Sequence, residues 1–224
     1  MIFVTGDTHG CIDIHKLNRQ NFDYSGLTKN DYIIICGDFG FVWYGNKKDD
    51  WWLKWLEELP CSILFVDGNH ENFDILNSYP IEIWNGGKIH KIREHIFHLM
   101  RGQVFTIESK KFFTFGGATS HDKIYRKEGL SWWPQEMPTF EECEDAIKIL
   151  DKYNWEVDYV ITHSAPDNIL YRVNPLYEHD LATNFLFTID KDLKFKHWYF
   201  GHYHIDKNID DLHTAMYQDI IALS

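Results

Sequence analysis

No stretch of this 224-residue chain stays apolar for the roughly 20 residues that a bilayer demands, so a membrane-spanning helix is not expected. Proline, glycine and serine nowhere gather into a linker and no internal repeat is visible, so residues 1–224 read as a single domain. Cysteine is scarce: Cys11, Cys36, Cys61 and Cys143 stand apart, without Cys-x-x-Cys spacing. That argues against a disulfide framework or a zinc ribbon and for free thiols in a reducing compartment. Basic residues are outnumbered, 22 Lys and Arg against 34 Asp and Glu, for a formal charge of −12. A balance of that sign argues against nonspecific nucleic-acid binding through a general basic surface. The opening Met1–Thr5 leads straight into Asp7 and reads as a strand rather than a secretory signal, so a cytoplasmic location is expected.

What is present is a series of five short polar clusters, each beside an apolar run that reads as a β-strand. They are Asp7-Thr8-His9, Gly37-Asp38, Gly68-Asn69-His70-Glu71, Thr162-His163 and Gly201-His202-Tyr203-His204. The runs before them include Ile2–Thr5, Tyr32–Cys36, Ile63–Val66 and Tyr159–Ile161. In a largely parallel sheet the carboxyl ends of such strands share one edge, where ligands of open α/β sheets collect. The clusters are therefore expected to converge on one pocket. Imidazole, carboxylate and amide oxygen, without thiolate, suit borderline divalent cations such as Mn, Fe, Zn or Ni. The donors exceed the needs of one ion, whereas two cations sharing a bridging carboxylate would use them. Side chains at i and i+2 of an extended segment face the same way, so Asp7 with His9, and His202 with His204, are expected to look into the site from extended chain.

In its order of blocks, from Asp7 to His204, the sequence resembles the calcineurin-like metallophosphoesterases, whose pattern is D-x-H, G-D, G-N-H-[DE], H and G-H-x-H. The resemblance implies a four-layer αββα sandwich of two packed mixed β-sheets flanked by helices. It implies two divalent metal ions, manganese first and Fe, Zn or Ni as alternatives. Asp7, His9 and His204 would hold one, Asn69, His163 and His202 the other, and Asp38 would bridge them. A phosphoester would be cleaved by a hydroxide held between the metals. His70, not itself a ligand, would assist the leaving group as a protonated imidazole, with Asp38 and Asn69 completing the catalytic centre.

Periodicity adds detail. A short helix is expected from Gly10 to about Asn18, and another capped by Asp50, carrying Trp51, Trp52, Trp55, Leu56 and Leu59 and ended by Pro60. A third should start near Glu71. Alternating runs at Lys88–Ile92, Ile96–Met100, Val104–Glu108 and Phe112–Phe115 read as antiparallel hairpins of a second sheet. Thr139 with Glu142 is a capping-box signature for a helix over 140–153, and a further helix is expected over 179–187. Late strands are expected near 205–209 and 215–222.

Ser/Thr protein phosphatases of this superfamily extend the second block to G-D-x-x-D-R-G. Here Asp38 is followed by Phe39, Gly40, Phe41, Val42 and Trp43, with no arginine to grip a phosphate. That favours a phosphodiester, a cyclic nucleotide or a small nucleotide ester. A phosphomonoester, a pyrophosphate, or recognition without cleavage by a phosphate-binding regulator are the alternatives. Two segments can shape specificity: Phe39–Lys48, and a long loop inserted near 116–138. From them His121, Arg126 and Trp43 are candidate substrate contacts, since aromatic faces beside a phosphate site can stack on a base. The remaining histidines are expected to serve surface or packing.

Overall fold

The computed structural model describes residues 1–223. In chain order its elements are β1 (Ile2–Thr5), β2 (Tyr32–Ile35), α1 (Lys47–Glu57), β3 (Ser62–Phe65), α2 (Phe73–Leu76), β4 (Ile81–Trp84), β5 (Gly87–Arg93), β6 (Ile96–Leu99), β7 (Gln103–Ile107) and β8 (Lys110–Phe115). There follow α3 (Phe140–Lys152), β9 (Tyr159–Thr162), α4 (Asp167–Val173), α5 (Leu181–Asp192), β10 (His197–Phe200), β11 (Lys207–Asn208), β12 (His213–Ala215) and β13 (Ile220–Leu223). One sheet has seven strands in the order β13-β1-β2-β3-β6-β5-β4, the other six in the order β11-β12-β10-β9-β8-β7. Both are parallel at their centres, through β1-β2-β3-β6 and β12-β10-β9-β8, and antiparallel at their edges. No helix among the described residues is long and apolar enough to cross a membrane.

The layers follow from the alternation of side chains along each strand. Ile33, Ile35, Ile63 and Phe65 pack with Leu53 and Leu56 of α1 on one face of the first sheet. Their neighbours Ile34, Leu64 and Val66 turn the other way and meet Phe105, Phe112, Tyr159 and Ile161 of the second sheet. The far face of that sheet, with Phe113, Phe115, Val160 and Trp198, is covered by Ala146 and Leu150 of α3 and by Phe185 and Ile189 of α5. Helix, sheet, sheet, helix is thus the observed order, as the resemblance implied. Strands buried on both faces must be apolar at every position, which is why β2 and β3 read as unbroken runs rather than alternating ones.

Several local expectations shift. The four hairpin strands do not form a sheet of their own: β5 and β6 extend the first sheet, where β6 lies parallel to β3, and β7 and β8 begin the second. Residues 10–18 give only a 3₁₀ turn at Ile14–Leu17, because His9 and Tyr217 engage Asp13 there. The cap of α1 is Asn46, accepting from the Lys48 N–H, and not Asp50, which instead pairs with Arg93 and Lys54. The capping box of Thr139 and Glu142 is formed as expected. The late segment divides: β12 joins the second sheet, whereas β13 crosses back to pair antiparallel with β1.

One buried histidine couples this packing to pH. His213 on β12 lies between Asp190 of α5 and Asp210, at 3.1 and 2.9 Å. Burial opposes its charge, but the two carboxylates win and raise its pKa above 6.5. A raised folded pKa stabilises fully below the unfolded value, and the contribution is lost as pH rises through the folded one. Urea unfolding of wild type and His213→Gln should therefore show a stability gap that is full below the ordinary histidine pKa of 6.5 and shrinks as pH rises above it.

Candidate active site

The central parallel strands of both sheets point their carboxyl ends to the same edge, and the five polar clusters meet there. β1 delivers Asp7 and His9, β2 delivers Asp38, β3 delivers Asn69 and His70, β9 delivers His163, and β10 delivers His202 and His204. Ligand atoms of Asp7, His9 and His204 lie within 4.8 Å of one another, as do those of Asp38, His163 and His202, and those of His9, Asp38 and His70. Asn69 Oδ1 is 3.1 Å from His163 Nε2. All seven side chains expected to hold metal are therefore in one place, with Asp38 common to two of the groups.

The segments are not extended, however. His9, Asp38, His202 and His204 all have positive φ, between 44 and 70°, and are four of the nine described non-glycine residues that do. Left-handed backbone at such residues is costly and clusters at functional sites. The pairs Asp7–His9 and His202–His204 converge through tight turns, and the same-face logic of an extended strand does not apply to them.

The donor chemistry tests whether these residues fit divalent ions. Nδ1–H of His163 donates to the Cys36 carbonyl at 2.8 Å, and Nδ1–H of His9 donates to Asp13 at 2.9 Å. In the neutral ring that leaves Nε2 a lone pair. Yet His163 Nε2 faces Asn69 Oδ1 at 3.1 Å and Asp38 Oδ1 at 3.4 Å, and His9 Nε2 faces Asp38 Oδ2 at 3.2 Å. His204 Nε2 likewise faces Asp7 Oδ2 at 3.2 Å. Such facing pairs call for positive charge between them, which either a ring proton or a bound cation supplies. Burial opposes charge on His9, but Asp38 and Asp7 raise its pKa to about 9, so positive charge is favoured at that point. Asp38 is fully buried, which disfavours its charge, but the surrounding imidazoles hold it ionised, well below the usual carboxylate range. The two hydrogen bonds that fix the tautomers of His9 and His163 are of the kind that orient metal-bound histidines.

His70 sits beside this set without completing it. Its backbone N–H donates to Asp38 at 2.7 Å, and its ring nitrogen Nε2 accepts from Arg126 at 3.1 Å. Burial, opposed by Asp38 and reinforced by Arg126, lowers its pKa. Charge on the ring is thus disfavoured in this arrangement, whereas the resemblance implied a protonated imidazole. The other substrate candidates also lie near: His121 stacks on His202 with ring centroids 5.7 Å apart, and Trp43, edge-on to Trp133 at 5.4 Å, lines a cavity shared with His9 and His70.

Sequence reading assigned no role to the residues that hold these in place. Lys16 is buried, and its ammonium donates to the carbonyls of Gly6, Asp7 and Tyr217. Burial lowers its pKa to about 8. Glu71 is wholly buried and accepts from the N–H of Phe39 and Gly40. Ser120 accepts from the Asn69 amide at 3.1 Å, which aims the amide oxygen at His163. A lysine near the end of an expected helix, or a serine in a long loop, carries no local signal of such a role.

A model of the calcineurin-like phosphoesterase family matches residues 1–206. Among solved structures the chain is similar to a phosphopantetheinyl hydrolase from Mycobacterium tuberculosis, at 14% identity and TM-score 0.46, covering 96% of this chain and 87% of that one. It is also similar to a putative 5'-nucleotidase from Staphylococcus aureus in complex with alpha-ketoglutarate, at 15% identity and TM-score 0.49, covering 96% of this chain. Only 48% of that nucleotidase is covered, so the chain spans about half its length. No curated protein matches.

Two glycines make the convergence possible. A Cβ on Gly68 would stand 2.1 Å from Asp38 Oδ1, and one on Gly201 would stand 2.2 Å from Asp7 Oδ1. Either methyl must displace a carboxylate. Gly201→Ala is expected to weaken divalent-cation binding by about 10- to 100-fold, the scale seen when groups that orient ligands are disturbed. Equilibrium dialysis with manganese measures this, and unchanged affinity in a folded variant would contradict it.

Proposed function

The chain belongs to the calcineurin-like phosphoesterase family, which makes it a metal-dependent phosphoester hydrolase, and we propose that it cleaves a phosphodiester, cyclic nucleotide or small nucleotide ester at the edge where the five clusters meet. The observation that carries this is the facing of imidazole nitrogens on carboxylate and amide oxygens around Asp38, an arrangement that two cations satisfy. Asp7, His9 and His204 would hold one ion, Asn69, His163 and His202 the other, and Asp38 both. When bound there, two such ions supply Lewis acidity to a phosphoryl oxygen and make water a nucleophile near neutral pH.

The chain's own residues then divide the remaining work. Arg126 supplies the cation that the second motif lacks: its guanidinium reaches the site from the inserted loop and is steadied by Asp122 at 2.7 Å. A phosphate oxygen arriving beside His70 would compete for those N–H donors, since charge-assisted hydrogen bonds to an anion are roughly twice as strong as neutral ones. Released from Arg126, the Nε2 of His70 has its lone pair free, so a proton taken up there from solvent would pass to the departing oxygen. The backbone N–H of His70, fixed on Asp38, keeps that ring over the centre.

Turnover of bis(p-nitrophenyl) phosphate, p-nitrophenyl phosphate and cyclic nucleotides with added Mn²⁺ tests the reading. Asp38→Ala should abolish activity, and His70→Gln should lower kcat by about 10²- to 10⁴-fold. Preference for the monoester would move the substrate to the alternative class. A protein that binds two metals and turns over no ester would overturn the proposal in favour of pyrophosphate or non-catalytic recognition.

A further inference from the structure

Beside the candidate centre lies a cavity of about 330 Å³, lined by His9 and His70 together with Trp43, Tyr44, Trp52 and Lys48. It shares two side chains with the site, so whatever fills it touches the place where a phosphoester would react. Its volume is at the lower end of the range for small-ligand pockets, about 300–1,000 Å³.

Its walls are flat and fixed. One buried carboxylate oxygen, Oδ2 of Asp49, accepts from three successive backbone N–H groups, those of Trp43, Tyr44 and Gly45, at 2.9, 2.6 and 2.8 Å. The Asn72 amide holds the Trp43 carbonyl at 2.8 Å. The aromatic segment after β2 is therefore set in position before any ligand arrives, which reduces the ordering cost of binding. Trp52 is backed by Phe41 and Trp55, while Tyr44 stays 56% exposed. Lys48 places its ammonium 5.0 Å above the Tyr44 ring, a cation held at the cavity of an otherwise acidic chain.

We infer that this cavity takes the nucleoside of a nucleotide ester, with the base between the indole and phenol faces and the ribose oxygen directed to His70. An alkyl group would use the apolar area but gain nothing from ring faces. A base gains about 1–3 kcal/mol from aromatic stacking, and its ring nitrogens and carbonyls offer Lys48 acceptors. The inference rests on the phosphoesterase reading for the placement of the phosphate, and on the cavity alone for the base.

Calorimetric titration with adenosine, adenosine 5'-monophosphate and ribose 5-phosphate, with and without Mn²⁺, tests it. Adenosine 5'-monophosphate should bind about 10- to 100-fold tighter than ribose 5-phosphate, as stacking of that size requires. Adenosine should bind without metal. Tyr44→Ala should cut the base preference about tenfold, and Tyr44→Phe should restore it. Trp52→Leu should act likewise, with its melting temperature read in parallel because Trp52 also packs on Phe41. Equal affinity for the two phosphates, or a folded Tyr44→Ala that keeps the preference, would overturn the inference. Turnover of bis(p-nitrophenyl) phosphate without base preference would defeat the cavity assignment alone. Base preference with no turnover of any ester would support the cavity and defeat the hydrolase reading.

Discussion

Asp7 and Asp38 are buried almost completely at the edge where the two sheets present their strand ends, and the structure around them is arranged by the need to satisfy that charge. A buried carboxylate without partners costs several kcal/mol, so the fold must bring donors or cations to it. Asp38 receives the His70 N–H and Asp7 receives the His202 N–H, each from a strand other than its own. Five imidazoles, those of His9, His70, His163, His202 and His204, close around the pair. Gly68 and Gly201 stand where any side chain would collide with a carboxylate oxygen. The site is thus a product of sheet topology: only parallel strands in both sheets bring five chain exits to one edge.

The same constraint accounts for the strained backbone. Bringing His9, Asp38, His202 and His204 onto one point requires turns that an extended exit cannot make, and each has left-handed φ. Strain of that kind, of order 1–3 kcal/mol per residue, persists only where the neighbourhood fixes it. Hydrogen bonds do the fixing: the N–H groups of Thr8, His9 and Gly10 all bond to the carbonyls of Asp38 or Phe39, knitting the exit of β1 to that of β2.

Much of this could be read from the chain. The strands before the clusters are short apolar runs that stop at glycine or a polar residue, and the helix after Thr139 is announced by its capping box. What sequence reading missed is non-local. Whether the β5–β6 hairpin joins the first sheet or the second depends on its pairing with β3, which no residue of the hairpin encodes. β4 escaped notice because Ile81, Glu82 and Ile83 are exposed and its burial pattern carries no contrast. The cap of α1 was misplaced because Asp50 is as good a capping residue as Asn46, and only the use of Asp49 by the preceding loop decides the register. The members of the cluster were legible as motif. Their approach through left-handed turns was not, since aspartate and histidine tolerate positive φ better than most residues but do not mark where it is adopted.

A single device recurs in the loops that surround the centre: each is tied to one buried carboxylate. Asp13 orients His9 and takes the Tyr217 hydroxyl. Glu71 holds the start of the segment after β2, and Asp49 holds its aromatic end. Glu136, with no exposed surface, accepts from the Ser120 N–H and hydroxyl and pairs with Lys123, and Ser120 in turn accepts from Asn69. The loop that supplies His121 and Arg126 is therefore connected to the centre through Asn69. It is also tied to β3, because Arg101 bridges Asp67 and the carbonyls of Gln135 and Glu136. Burial, partly offset by hydrogen bonds to Phe39 and Gly40, raises the pKa of Glu71 well above its usual value, whereas Arg101 and His98 keep Asp67 ionised against the same burial. The geometry of the candidate centre and the loops beside it thus depend on the same buried polar groups, so a change that frees one of these carboxylates would disturb both together.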